Sequence, residues 1–475
     1  MQQKSTTVAV YAATAAFAAA SIAYIFGPSI FPDDSGYRNA RVGGAVGLSN
    51  PANDCFINSV LQALAGVDGL SVYLSELERP QSLLKDAEKA DAEAMTEEKQ
   101  DEQVKLLSDN ITVVSFATKS ILDELNEPAP YRKTICARRF ISTLEKVFGG
   151  HLSRRQQDAQ EFLQIVLEKL EDENEAARKF FSASSSVSSG TEKEPRHQLS
   201  TFPVTGNISS QIECLKCHYQ PTPSKSTFLT LTLNVPYGKS STTLDACLDS
   251  LLKVETIEGY KCARCVAARS LQSKQSLLAN TPTSSSVYEH VAKSIADLEE
   301  LLVEPVTPAL EARLSDFADS AGDSTNLPSI QKHVSISMFP QVLAIHLSRS
   351  VFDPSNFSTK NTAKVEFHEK LVLGSMAEKR RSYRLSTMIT HKGGHNSGHY
   401  ETYRRQMERE EPVARSESPQ VDVQSEKVRD SQSRKKSKSN DKWWRISDDK
   451  ISGCKTRDML SMRREVYLLF YELER

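Results

Sequence analysis

Cys55 stands near one end of a 475-residue chain and Gly398-His399-Tyr400 near the other. Read as a thiol nucleophile and its base, the pair requires a fold that closes these two distant segments on each other. Nucleophilic cysteine chemistry needs a thiolate near neutral pH, which a helix N-terminus and a neighbouring imidazole supply by stabilising charge on sulfur. After Cys55 the apolar residues Phe56, Val60, Leu61 and Leu64 recur at helical spacing, so a helix is expected to begin at the cysteine. Asp54 has the side chain of an N-cap, and the sulfur would then sit at the helix's positive end. Of the three histidines in the later segment, His399 is favoured as the base. It opens a strand-like aromatic alternation, whereas His391 and His395 flank glycines.

The formal charge of −2 gives no global field for nucleic acid. The basic run Arg434-Lys435-Lys436-Ser437-Lys438 reads as a solubilising loop, since its flanks lack the aromatic residues that stack on bases. No nucleic-acid partner is expected. Between Lys4 and Asp33 there is no charged residue, a length sufficient for one membrane span. Residues 1–31 are therefore expected to form an N-terminal membrane anchor and 32–44 a tether, with a cleaved secretory signal as the rival. Of eight cysteines, four form two Cys-x-x-Cys pairs, which suits metal ligation in a reducing compartment better than a disulfide framework. The chain beyond the anchor is thus expected to face the cytosol.

Asp158-Ala159-Gln160-Glu161 has the form of a capping box, and Phe162, Leu163, Val166, Leu167 and Leu170 follow at helical steps. The run 228–235 alternates like a half-buried strand. Further strands are expected at Val342–Leu347, Leu371–Leu373, Tyr383–Leu385 and Val466–Tyr471, forming one antiparallel sheet. Three stretches, about 80–110, 270–330 and 406–440, read as insertions.

Cys214, Cys217, Cys262 and Cys265 place four soft ligands in two knuckles, for which tetrahedral zinc is the natural guest. His218 and Cys247 are spare donors, and Cys247 fits a helical core position beside Leu244, Leu248 and Leu251. In Trp443-Trp444-Arg445-Ile446-Ser447-Asp448-Asp449, hydroxyl and carboxyl groups could orient an imidazole through its second nitrogen.

Taken together these segments resemble the ubiquitin-specific proteases, the papain-like cysteine deubiquitinases. The stretch from Gly47 to Cys55 is similar to the family's Gly-Leu-x-Asn-x-Gly-Asn-Thr-Cys box, Gln156–Phe162 to a second box, and Gly398-His399-Tyr400 with the Trp443 segment to the histidine box. The resemblance implies an α+β catalytic domain over 45–475 with thumb, palm and zinc-binding fingers. It implies hydrolysis of the (iso)peptide bond after the C-terminal glycine of ubiquitin, with Cys55 as nucleophile, His399 as base then acid, and Asn50 holding the oxyanion. Gln157, Asp158 and Tyr400 would contact the ubiquitin tail, and zinc would be structural.

Three positions depart from the family pattern. Ala52 replaces a glycine, Asp54 replaces a threonine and brings charge beside the sulfur, and Ser447 stands where an Asp or Asn orients the histidine. Asp448 is then the alternative orienting carboxylate. Serine there, with an N-terminal span, resembles the members anchored in the mitochondrial outer membrane, an endoplasmic-reticulum membrane being the alternative location. The departures also motivate a second reading, a catalytically silent ubiquitin-binding scaffold.

Overall fold

The computed structural model describes residues 45–77, 112–128, 133–152, 157–184, 199–283, 285–303, 307–320, 327–351, 359–374, 380–394, 398–406 and 442–474. The expected anchor (1–31), tether (32–44) and the insertions about 80–110 and 406–440 lie outside these residues, as does His395. Among the described residues no single helix is long and apolar enough to cross a membrane.

Among the described residues five helices come first: α1 Cys55–Leu64, α2 Asp68–Leu77, α3 Val113–Asn126, α4 Arg138–Phe148 and α5 Ala159–Ser184. They pack on one face of an eight-stranded sheet. Its strands are β1 Leu231–Asn234, β2 Val342–Ser348, β3 Lys370–Leu373, β4 Arg381–Gly393, β5 Gly398–Arg405, β6 Lys442–Ser447, β7 Lys450–Lys455 and β8 Val466–Leu473. Their spatial order is β7-β6-β5-β4-β8-β2-β1, with β3 paired to the start of β4.

Side chains alternate across a strand, and β8 shows what that does here. Leu468 and Phe470 enter the core shared with the helices, while Leu469 and Tyr471 enter a second core on the opposite face. Both faces of β8 and β2 are thus buried, which accounts for their uninterrupted apolar runs. The sheet departs from the antiparallel expectation at one edge, where β1 runs parallel to β2. The strand expected over 228–235 is also divided. Ser224–Phe228 belongs to a separate four-stranded sheet and Leu231–Asn234 to the large one, with a bend at Leu229 and Thr230.

The smaller sheet is ordered Ser224–Phe228, Gly206–Cys214, Ile330–Met338, Glu255–Ile257. Beside it the chain forms α6 Leu244–Leu252, α7 Ala263–Ala279, α8 Ser286–Val303 and α9 Pro308–Ser320. The stretch 270–330 is therefore largely helical among the described residues. Leu298, Leu301, Leu310 and Leu314 bury against Cys214, Cys262 and Cys265 in a third core. Cys247 is buried in α6, as its helical spacing implies.

Candidate active site

Cys55 is the first residue of α1. Burial pushes its thiol above the ordinary value, the amide of Tyr400 pulls it down, and Asp448 pushes it up again. The amides of Phe56 and of Cys55 itself add to the downward pull, as expected where a helix presents unpaired N–H groups. Tyr400 follows His399 on β5, so the strand carrying the histidine lies against the sulfur. The two distant segments of the sequence meet here.

Asp54 occupies the N-cap position but its side chain makes no capping hydrogen bond. This corrects the capping expectation. The backbone is tied instead by Asn50, whose side-chain oxygen accepts from the Asp54 amide at 3.0 Å. That bond fixes the Asn50 amide, and its nitrogen donates to Asp448 Oδ2 at 3.0 Å. Asn58, one turn into α1 and buried, donates to Asp448 Oδ1 at 2.8 Å and to the Ser49 carbonyl at 3.2 Å. A polar residue inside the apolar stripe of α1 is the sequence signal that marks Asn58.

His399 Nε2 lies 2.7 Å from Ser447 Oγ and 4.0 Å from Asp448 Oδ2. Ser447 ends β6, and Asp448-Asp449 make the two-residue turn into β7. Asp448 takes φ 53°, a left-handed conformation that aspartate tolerates better than most residues. The turn seats against the segment before the nucleophile. The Leu48 amide donates to the Asp448 carbonyl at 3.0 Å, and a Cβ on Gly47 would stand 2.8 Å from the Asp449 Cα. Gly47 is needed for this approach.

Asp158 precedes α5 and its Oδ1 accepts from the Gln160 amide at 2.6 Å, while the Tyr467 hydroxyl donates to the same carboxylate. Tyr400 is buried, accepts from the Ala159 amide and stacks on the His391 ring at 4.4 Å. Gln157 stands half-buried just before α5. His391 is committed elsewhere: Lys360 Nζ lies 3.2 Å from its Nδ1 and donates to its carbonyl at 2.8 Å.

In the third core, Cys214 Sγ lies 3.7 Å from Cys265 Sγ and Cys217 Sγ 3.6 Å from Cys262 Sγ, with all four sulfurs within 4.8 Å of one another. Sulfurs at about 2.3 Å from a tetrahedral zinc stand about 3.8 Å apart. The cluster therefore fits a structural zinc. Burial pushes the Cys262 and Cys265 thiols up, whereas the amides of Cys217 and Lys216 bring Cys214 down to about 7, so a bound cation's own charge would be what holds all four as thiolates. His218 is turned away to Glu213 at 3.0 Å.

The family model "Ubiquitin carboxyl-terminal hydrolase" matches residues 46–471. Ubiquitin carboxyl-terminal hydrolase 16 of Emericella nidulans is 33% identical, the alignment covering 100% of both chains. Ubiquitin carboxyl-terminal hydrolase 16 of Saccharomyces cerevisiae is 26% identical over 90% of this chain and 89% of that protein. Among solved structures, the SAGA DUB module bound to ubiquitin aldehyde superposes with a TM-score of 0.50 at 19% identity, covering 90% of this chain and 70% of that one. At that identity the likeness speaks to fold alone.

Proposed function

Because the chain belongs to the ubiquitin carboxyl-terminal hydrolase family and is a cysteine-type deubiquitinase, we propose that Cys55 attacks the carbonyl after the last glycine of ubiquitin. The observation that carries this reading is the convergence on one turn, Ser447-Asp448, of His399, Asn50 and Asn58. Since burial, its largest influence, raises the Cys55 thiol, the attack needs a base. When His399 Nε2–H donates to Ser447 Oγ, Nδ1 keeps the lone pair that takes the thiol proton. The same imidazolium then protonates the departing amine.

Asn50 is the oxyanion donor in this reading, with one N–H held by Asp448 and the other left for the tetrahedral intermediate. Such a donor contributes about 2.7–4 kcal/mol in the transition state. Ser447 and Asp448 divide the work: the hydroxyl orients the imidazole, and the carboxylate orients the oxyanion amide. Gln157 and Asp158 would receive the ubiquitin tail at the start of α5, and Tyr400, buried beneath them against Ala159 and His391, would support that end of the helix. Zinc on the four cysteines ties the strands of the smaller sheet to α7, without part in the chemistry.

The silent-scaffold alternative was motivated by Ala52, Asp54 and Ser447. One of these, Ser447, is engaged with His399 in the assembled site, which supports the enzyme. The uncharged stretch between Lys4 and Asp33 supports placement at a cytosol-facing membrane, in our reading the mitochondrial outer membrane. Imaging of the tagged full-length chain on another membrane would overturn that placement.

The test of the activity is reaction of the full-length protein with a ubiquitin carrying a thiol-reactive C-terminus. An adduct is expected with wild type and not with Cys55→Ala, and multiple-turnover hydrolysis of a ubiquitin amide is expected to be lost in His399→Ala. Binding of ubiquitin with no adduct in wild type would favour the scaffold.

A further inference from the structure

The backbone pairing of β5 with β6 runs from Arg405↔Trp443 to Thr402↔Ile446 and ends there. Ser447 lies one residue past the end of that ladder and His399 three residues past it on the other strand. On the opposite side of β5 the ladder with β4 continues to Gly393↔Gly398 and includes Lys392↔His399. The histidine is thus registered against β4 by main-chain bonds, while its distance to Ser447 on β6 depends on side chains.

Alternation places His399, Glu401 and Tyr403 on one face of β5. Opposite them on the same face are Lys392 of β4 and, on β6, Arg445 and Ser447. Glu401 is 7% exposed at its side chain. Arg445 donates to it through both Nε at 3.1 Å and Nη2 at 2.9 Å, and Lys392 Nζ donates at 2.8 Å from the other strand. A two-pronged guanidinium fixes distance and angle together. It joins Glu401, one residue past the end of the ladder, to Arg445, whose backbone still pairs with Tyr403.

We propose that Glu401, clamped between Arg445 and Lys392, is a positioning residue that sets the Ser447 hydroxyl against His399. The inference rests on the reading of Ser447 given above. Glu401 does not touch the reacting atoms; it ties β6 to β5 beside the end of their ladder, adding to the bonds of Leu48, Asn50 and Asn58 that hold the turn at Asp448. Arg445 is its partner on β6, and Lys392 anchors it to the strand registered with His399.

Residues that act through one bond are non-additive, and this provides the test. Hydrolysis of a fluorogenic ubiquitin C-terminal amide is followed for wild type, Glu401→Gln, Arg445→Met, Ser447→Ala and the two double variants carrying Ser447→Ala. Glu401→Gln is expected to lower kcat about tenfold with KM unchanged, and to lower it less than about twofold in the Ser447→Ala background. Arg445→Met keeps the Lys392–Glu401 pair and is expected to follow the same pattern; it serves if circular dichroism shows Glu401→Gln unfolded. A full cost in both backgrounds, or no cost in wild type, overturns the clamp alone. A silent Ser447→Ala overturns the role of Ser447, and the clamp with it.

Discussion

The carboxylate that matters at the nucleophile is Asp448, far from Cys55 in sequence, and not the adjacent Asp54. Asp448 opposes thiolate formation electrostatically and yet holds the Asn50 amide, so the two effects of removing it have opposite signs. Asp448→Ala is expected to lower the thiol pKa of Cys55 and to speed its alkylation by chloroacetamide at pH 7.5. Turnover of ubiquitin amide is expected to fall at least about tenfold, since part of the oxyanion stabilisation goes. Parallel changes in both rates would show that one of the two assignments is wrong. The sequence disclosed the residue types of this site but not their wiring. Asp54 looked like a cap because caps are local; the bonds that replaced it connect Asn50, Asn58 and the turn after β6 through tertiary contact alone.

A similar substitution of remote for local contacts occurs at α3. Thr112 has a capping side-chain type but makes no cap bond. The N-terminus of α3 is satisfied by Glu173 of α5, which accepts from the amides of Val114 and Ser115 at 2.9 and 2.7 Å and from the Ser115 hydroxyl at 2.7 Å. A buried carboxylate at a helix N-terminus gains both hydrogen bonds and the favourable dipole. Glu173→Ala leaves these donors without that partner and is expected to cost about 1–3 kcal/mol, read as a lower urea midpoint. An unchanged midpoint would mean that water replaces the carboxylate. Strands β2 and β8 were legible as short apolar runs because both their faces are buried, whereas of β4 only Tyr383–Leu385 was, its remainder to Gly393 being mixed in polarity. The break at Leu229-Thr230 was not, because the same alternation serves two sheets and only the bend between them assigns each half.

Closing the chain on itself leaves a titratable group in the seam between helices and sheet. His346 of β2 is 9% exposed, its ring lies edge-on to Tyr467 at 4.9 Å, and its Nδ1 lies 3.3 Å from Thr232 Oγ1. Tyr467 in turn donates to Asp158 at the start of α5, so this histidine sits beneath the junction of thumb helix and palm sheet. Burial holds its pKa down to about 4, with Asp158 partly opposing the shift. The unfolded chain binds the proton near pH 6.5 and the folded chain only near 4. Stability from this group is therefore complete above pH 6.5 and is lost as pH falls toward 4, by up to roughly 3 kcal/mol. The urea midpoint of the full-length protein is expected to drop across that interval. His346→Leu, which keeps an apolar filling and removes the proton site, is expected to flatten the drop even if its midpoint at pH 7.5 is lower. Equal acid sensitivity in the two proteins would assign the loss to other groups, and the seam would then owe its integrity to the tyrosine and Asp158 contacts without His346.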